Sequence, residues 1–127
     1  MENNYLLDSS AWIEYFRGSD KGEKVKSLIE EESVAISIFG IAEIADKLEH
    51  EGKNLNEHLG FIKNAAAILP LTFSSAVLAG KLKNKYRVTK QKFCLGDAIH
   101  LATAQEEDCI FITADTDFSG IENVRLL

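Results

Sequence analysis

The sequence predicts an α/β fold in which helices cover both faces of a parallel sheet of four or five strands. Short apolar runs alternate with helical patterns along the chain, and this alternation is typical of strands joined by crossover helices. The chain has 127 residues, which fits one hydrophobic core, so we predict a single domain over residues 1–127. A content of 46% hydrophobic and 27% charged residues is typical of soluble globular proteins.

Each predicted element has a local reason in the sequence. Helices are indicated by apolar residues spaced three and four apart, and strands by short continuous apolar runs. Ser9 and Ser10 supply N-cap chemistry for the first helix, and Gly18, Gly22 and Gly52 interrupt helical patterns. In order, the first predicted elements are a strand at 4–7, helices through 12–16 and at 23–31, a strand at 33–38, helices over 41–48 and at 55–66, and a strand at 67–71. They are followed by helices at 74–86 and 97–106, a strand at 109–113 and a candidate fifth strand at 123–127.

Several features exclude other classes of protein. No apolar stretch approaches the roughly 20 residues that span a bilayer, and the N-terminal segment has no basic or long apolar region typical of a signal peptide. Two cysteines, Cys94 and Cys109, are too few and too far apart for a zinc pattern or a disulfide framework. We therefore expect a reduced, cytoplasmic setting and no membrane partner. No glycine-rich dinucleotide or P-loop motif follows a predicted strand.

Acidic residues recur where predicted strands end or the next helix starts. Asp8 follows the first strand, and Asp115 and Asp117 follow the strand at 109–113. Glu43 and Asp97 lie in the first turns of helices. In open parallel sheets the ligand crevice lies outside the carboxyl ends of the strands, so these acids are predicted to face one edge.

Each acid also has a local explanation that stays open at this point. Asp8 and Asp97 are suitable N-caps, and Glu43 has Lys47 four residues on as an ion-pair partner. Asp115 and Asp117 are equally suitable turn residues. These explanations treat the acids one at a time, and none explains why they recur at the same end of the sheet.

Gathered carboxylates need something to offset their repulsion. Two of them about 6 Å apart repel by roughly 3 kcal/mol at an effective dielectric constant of about 20. Protonation or a bound cation relieves this cost, and oxygen ligands suit Mg²⁺ or Mn²⁺ rather than zinc. His100, three residues after Asp97, has no second histidine or cysteine beside it as a zinc partner. We interpret His100 as a packing or surface residue.

One basic segment stands out in an acidic chain. The formal net charge is −6, yet the stretch from Lys81 to Lys92 holds six of the fourteen lysine and arginine residues and no acidic residue. The segment is either a solvated helix end and loop or a patch that contacts phosphates.

Four segments, taken in order, resemble the motifs of the PIN domain family, in particular the small VapC-like ribonuclease toxins of type II toxin–antitoxin pairs. The segments are LDSSAWI at 7–13, SIFGIAEI at 37–44, LGDAIHLATA at 95–104 and FITADTDF at 111–118. The family often has threonine after the first aspartate, where this chain has Ser9. Asp115 is favoured over Asp117 as the fourth acid because it lies nearer the strand end.

The resemblance implies a three-layer α/β/α domain with strand order 3-2-1-4-5 and an Mg²⁺- or Mn²⁺-dependent endoribonuclease activity. It also implies an antitoxin partner and a homodimer. The residues implied as metal ligands and catalytic groups are Asp8, Glu43, Asp97 and Asp115, with Asp117, Ser9 and Thr113 as secondary candidates. We expect Lys90 and Lys92 to contact RNA phosphates.

A phosphoryl-receiving regulator and a non-catalytic binding module are the alternatives to a nuclease. A phosphoryl-receiving regulator needs an aspartate after the third strand, and that strand continues into Leu71-Thr72-Phe73 without an acid. A non-catalytic RNA- or protein-binding module with an acidic pocket remains open, because intact ligands do not establish turnover.

Overall fold

The computed structural model describes residues 4–127. The strands are β1 (Tyr5–Leu7), β2 (Val34–Ser37), β3 (Ala67–Leu69), β4 (Ile110–Thr113) and β5 (Val124–Leu126). The helices are α1 (Ser9–Arg17), α2 (Asp20–Glu31), α3 (Ile38–His50), α4 (Leu55–Ala65), α5 (Phe73–Arg87) and α6 (Leu95–Glu106), and a short 3₁₀ turn spans Thr116–Phe118. Among these described helices, none is long and apolar enough to cross a bilayer.

The described strands form one parallel sheet in the order β3-β2-β1-β4-β5. The predicted fold class and strand order are therefore confirmed. Leu7 is aligned with Ile112 in the β1–β4 pair, and Ser37 with Leu69 in the β2–β3 pair. Pro70 lies just beyond the edge strand β3, where its missing N–H deprives no neighbouring strand of a hydrogen bond.

Side chains that alternate along the strands divide the core into two layers. Leu6 and Phe111 face α5 and α6, whereas Leu7 and Ile112 face the side covered by α1 to α4. Strands buried on both faces explain why the sequence shows continuous apolar runs here instead of alternation. The result is the three-layer α/β/α arrangement that the sequence predicted.

Most predicted elements are present, and the differences lie at their ends. Helix α6 begins at Leu95, two residues before the predicted start, so Asp97 is the third residue of the helix and not its N-cap. Asp97 Oδ2 instead accepts a hydrogen bond from Cys94 N at 3.0 Å, which satisfies an N–H group at the start of the helix. Helix α3 follows β2 directly, because the Ser37 side chain caps it by accepting from Gly40 N.

Candidate functional site

The acidic residues gather where the sheet changes its winding direction, between β1 and β4. Successive connections move outward from β1 to β2 and β3 on one side, and from β4 to β5 on the other. Asp8 continues the β1–β4 pairing, with its backbone N–H donating to Ile112 O at 3.1 Å. The Asp8 side chain is thereby placed beside Thr113, the last residue of β4.

The Asp8 carboxylate accepts three hydrogen bonds. Oδ1 accepts from Ser10 Oγ at 2.6 Å and from Ala11 N at 3.0 Å, and the latter bond caps α1. Oδ2 accepts from Thr113 Oγ1 at 2.6 Å. The predicted capping role of Asp8 is therefore present, and it coexists with a fixed position at the sheet edge.

The two hydroxyl groups also connect Asp8 to the segment that follows β4. Ser10 Oγ accepts from Ala114 N at 3.0 Å, and Thr113 Oγ1 accepts from Asp115 N at 2.9 Å. Each hydroxyl thus accepts a hydrogen bond from a backbone N–H and donates one to an oxygen of Asp8. The sequence indicates Thr113 as a secondary candidate, whereas it indicates Ser10 only as a capping residue.

Burial dominates the electrostatics of Asp8. The residue is only 4% exposed, and the loss of hydration raises the pKa of its carboxyl above the ordinary value. Donation from Ser10, Thr113 and Ala11 N acts in the opposite direction but does not cancel the effect of burial. A charged Asp8 is therefore costly in the metal-free protein, and a nearby cation would reduce that cost.

Glu43 pairs with His100 and not with Lys47. His100 Nε2 lies 2.6 Å from Glu43 Oε1, while Lys47 pairs with Glu51 at 3.3 Å. Burial acts to raise the pKa of Glu43, but the His100 hydrogen bond and charge, together with a hydrogen bond from Ser9, outweigh it and lower that pKa. Glu43 is thereby held as a carboxylate.

His100 is a buried residue that packs against aromatic rings, in agreement with its interpretation as a packing residue, and it also makes polar contacts. The side chain is buried, but both ring nitrogens are hydrogen-bonded, Nδ1 to Ser37 Oγ at 2.8 Å and Nε2 to Glu43. The available signal in the sequence was its position three residues after Asp97, which places both residues on the same side of α6.

Asp97 and Asp115 lie close enough to influence each other. Burial makes the largest contribution to the raised pKa of Asp97, hydrogen bonds from Cys94 oppose it, and the charge of Asp115 raises it further. Asp115 Oδ1 accepts from Asp117 N at 2.9 Å, so the turn chemistry expected of this segment is present. Asp115 is consequently both a turn residue and an electrostatic neighbour of Asp97.

These links define an acidic site made of Asp8, Glu43, Asp97 and Asp115. Thr113 connects Asp8 to the Asp115 backbone, and Ser9, next to Asp8, bonds to Glu43. The charge of His100 acts on Asp8, Glu43 and Asp97. Hydrogen bonds and charge interactions thus link four of the five acids that the strand-end rule indicates, and like charges so linked attract cations.

The donor set fits a hard, hydrated cation. Within residues 4–127, no three side chains of His, Cys, Asp or Glu meet closely enough to hold a metal ion by themselves. Mg²⁺ does not require such a cage, because it keeps several waters and is bound in proteins through one or two carboxylates. The oxygen donors of the acidic site are therefore suitable for Mg²⁺ or Mn²⁺ with water completing the coordination, and unsuitable for a closed zinc site.

An open cavity of about 300 Å³ adjoins Glu43 and Ser9 between α1 and α3. Arg17 and Lys47 also line it, and each is paired with a neighbouring glutamate. A ligand from solvent can therefore approach the acidic site from this side.

The basic segment includes the end of α5 and the loop before α6. Lys90 Nζ donates to Ser119 O at 2.6 Å, and Arg87 Nη1 donates to Phe93 O at 3.3 Å, so part of the segment anchors this loop. Lys92 is exposed. The expected phosphate contacts of Lys90 and Lys92 stay predictions.

Comparison with known proteins relates this arrangement to a family. A toxin–antitoxin complex from Klebsiella pneumoniae is similar, with 26% sequence identity, a TM-score of 0.77, and coverage of 96% of this chain and 96% of that chain. VapBC2 from Rickettsia felis, bound to a promoter DNA fragment, has 17% identity, a TM-score of 0.77, and coverage of 97% and 96%.

VapC20 from Mycobacterium tuberculosis, a toxin that cleaves the sarcin–ricin loop, has 17% identity, a TM-score of 0.72, and coverage of 96% and 99%. At these low identities, the similarity to the last two structures concerns the fold alone. No curated protein matches the sequence. The PIN domain family model matches residues 5–124, which include all four acids. The chain therefore belongs to the PIN domain family.

Proposed function

We propose that the protein is a metal-dependent endoribonuclease that hydrolyses RNA phosphodiester bonds. The observation that supports the proposal most is the acidic site itself, because hydrogen bonds and charge interactions link four carboxylates from distant parts of the chain near the winding change of the sheet. Such a concentration of negative charge opposes folding unless a cation or protons occupy it. Membership of the PIN domain family supports the same function.

Asp8, Glu43, Asp97 and Asp115 are the residues that would hold Mg²⁺ or Mn²⁺, directly or through water. The ion would supply positive charge that stabilises the phosphoryl oxygens and makes the attacking water more acidic. Ser10 and Thr113 keep Asp8 in one orientation, and Ser9 helps to orient Glu43. Asp117 is a secondary candidate, since its backbone N–H holds Asp115 in the turn.

We further propose that the nuclease is the toxin of a toxin–antitoxin pair. The similar Klebsiella pneumoniae structure is a toxin–antitoxin complex, and the similar Mycobacterium tuberculosis toxin cleaves the sarcin–ricin loop. The partners that we propose with this role are an antitoxin that covers the acidic site and a second copy of the chain in a homodimer. The proposed cytoplasmic location follows from the same role.

Exposed apolar side chains support a protein partner. Phe73 is 88% exposed and Val77 is 46% exposed on α5, and Phe61 of α4 is 37% exposed. Trp12, in contrast, is fully buried, as expected for a core residue.

Co-expression with the product of an adjoining small reading frame should yield a complex without nuclease activity, and sedimentation of the chain alone should give the mass of a dimer. Active protein that stays monomeric and unbound would contradict these partners.

Cleavage of structured and unstructured RNA, with Mg²⁺, with Mn²⁺ and with EDTA, tests the activity. We expect cleavage that depends on the cation and is lost in Asp8→Asn, whose amide retains an acceptor for the N-cap bond from Ala11. Asp20→Asn, an exposed change on α2 with the same loss of charge, is the matched control and should cleave as wild type does. Near-normal cleavage by pure Asp8→Asn contradicts the catalytic role. RNA binding without cleavage by wild type would favour the non-catalytic module.

A further inference from the structure

His100 connects the half-exposed Glu43 to the end of β2. Its Nδ1 lies 2.8 Å from Ser37 Oγ, and its Nε2 lies 2.6 Å from Glu43 Oε1. Ser37 is itself fixed, because it is the last residue of β2 and its Oγ accepts the capping hydrogen bond from Gly40 N at 3.0 Å. A continuous chain of hydrogen bonds therefore runs from the sheet to the acidic site.

The donors and acceptors in this chain assign the proton on His100. An ionised carboxylate only accepts hydrogen bonds, so Nε2 must carry a hydrogen toward Glu43. Ser37 Oγ already accepts from Gly40 N and has its own hydrogen available for Nδ1. A hydrogen on Nε2 therefore satisfies Glu43, and Ser37 Oγ, which can both donate and accept, satisfies Nδ1.

The imidazole ring of His100 is buried between packed groups, whereas the Glu43 carboxylate that it contacts is partly exposed. His100 is 3% exposed, whereas the Glu43 side chain is 37% exposed. The rings of Phe39 and Phe111 lie 5.5 Å and 6.3 Å from the imidazole, centroid to centroid. A Cβ atom on Gly40 would come within 3.5 Å of His100 Cε1, so the backbone of α3 also packs against the ring.

We propose that His100 is a positioning residue, which holds Glu43 in one rotamer so that its carboxylate faces the acidic site before any cation binds. An unrestrained glutamate loses much of its rotamer freedom when it binds a cation. Here the hydrogen bond from the buried His100 already restricts that freedom. Hydrogen-bonding partners of metal ligands raise metal affinity in the same way. This inference rests on the proposed metal-dependent function.

Titration of the purified protein with Mn²⁺, followed by the electron paramagnetic resonance of free Mn²⁺, tests the inference without any nuclease assay. The variants are His100→Gln, whose amide reaches Glu43 as a donor, and His100→Met, which has a similar length and no donor. Both are also made together with Glu43→Gln. Thermal unfolding in EDTA shows whether each variant is folded, and His100→Asn, too short to reach Glu43, replaces the methionine variant if that protein unfolds.

We expect His100→Met to weaken Mn²⁺ binding by about 10-fold or more, and His100→Gln to stay close to wild type. In the Glu43→Gln background, His100→Met should have no further effect, because His100 acts through Glu43. Equal affinity of wild type and His100→Met, or an equal loss in both backgrounds, overturns the positioning role alone. Absence of Mn²⁺ binding by wild type overturns the proposed function, and the inference with it.

Discussion

At the scale of single residues, the acidic site combines groups that the sequence indicates with groups that it does not. Asp8 follows β1 directly and Asp115 lies two residues after β4, so the strand-end rule indicates both. Ser10 and His100 were missed because their partners are distant in sequence, at separations of 103 and 104 residues for Ser10 and 57 and 63 for His100. No local pattern encodes such pairs, since they depend on how strands are ordered and helices rotated.

Burial of Asp8 predicts that Asp8→Asn stabilises the metal-free protein near neutral pH. The folded pKa of Asp8 lies above the ordinary value of 3.8, so the stability contributed by its protonated form is complete below that value and is lost as pH rises through the folded pKa. The asparagine variant has no such loss. We expect its melting temperature in EDTA to exceed that of wild type at neutral pH, with a difference that shrinks as the solution is acidified.

Thermal unfolding in EDTA between about pH 3.5 and pH 8 measures this difference, within the range where folded carboxyl groups titrate. Asp20→Asn on the surface of α2 serves as the control for a general loss of negative charge. A difference that is constant with pH, or an asparagine variant less stable than wild type at pH 7, is incompatible with a desolvated carboxylate at position 8.

The Thr113 hydroxyl is predicted to stabilise the fold chiefly through two of its hydrogen bonds. It donates to Asp8 Oδ2 and accepts from Asp115 N, and the residue is fully buried. Thr113→Val keeps the shape but leaves a buried carboxylate short of one donor, which should cost about 1.5–3 kcal/mol. Thr113→Ser keeps the hydroxyl and should lose less. Urea denaturation at pH 7 measures both, and equal stability of the valine variant and wild type would contradict the network.

At the scale of helices and strands, the sequence predicted the order of elements well and their ends less well. Apolar periodicity and short apolar runs located the helices and strands, because these patterns reflect burial directly. The predicted start of α6 is wrong by two residues, because Cys94 is the N-cap and the Asp97 side chain accepts a hydrogen bond from Cys94 N. An aspartate at the N-cap and an aspartate at the third helical residue both accept from N–H groups at the start of the helix, so sequence alone does not distinguish these two positions.

Close contact between α1 and α2 gives a prediction at this scale. A Cβ atom on Gly22 would lie 2.2 Å from Glu14 O, which is backbone and has little freedom to move. Gly22→Ala should therefore destabilise the protein by about 1–3 kcal/mol. Gly60→Ala in α4 meets no atom within 4 Å and should instead stabilise the protein by about 0.5–1 kcal/mol. Chemical denaturation of both variants checks the pair, and similar changes in both would refute the close packing.

At the scale of the whole molecule, the strand order determines which segments of the chain lie next to each other in the candidate site. The order 3-2-1-4-5 places β1 beside β4, although about 100 residues separate them. The sequence anticipated this order through its resemblance to the PIN domain family, because periodicity alone predicts parallel strands without their arrangement. The hydrogen-bond partners within the site can be identified only from the structure.

The charge distribution gives a prediction for the proposed contact with RNA. The net charge is −6, so the exposed Lys92 near the start of α6 should make a local phosphate contact in an otherwise repulsive field. We expect Lys92→Gln to weaken RNA binding similarly for different sequences and to reduce the salt dependence by about one counterion. Lys63→Gln on α4 is the charge-matched control. Binding curves over a range of salt concentrations provide the test, and an equal effect of both substitutions would contradict a specific contact.

The location of Mn²⁺ in crystals of the protein is the measurement that most directly tests whether the four acids form a cation site. Anomalous diffraction from crystals soaked in MnCl₂ should show a peak next to Asp8, Asp97 and Asp115, on the side that Glu43 faces. Crystals of Asp97→Asn should show a weaker peak or none. Density at a different surface, or no peak beside these carboxylates at saturating MnCl₂, would contradict the proposed metal-dependent chemistry.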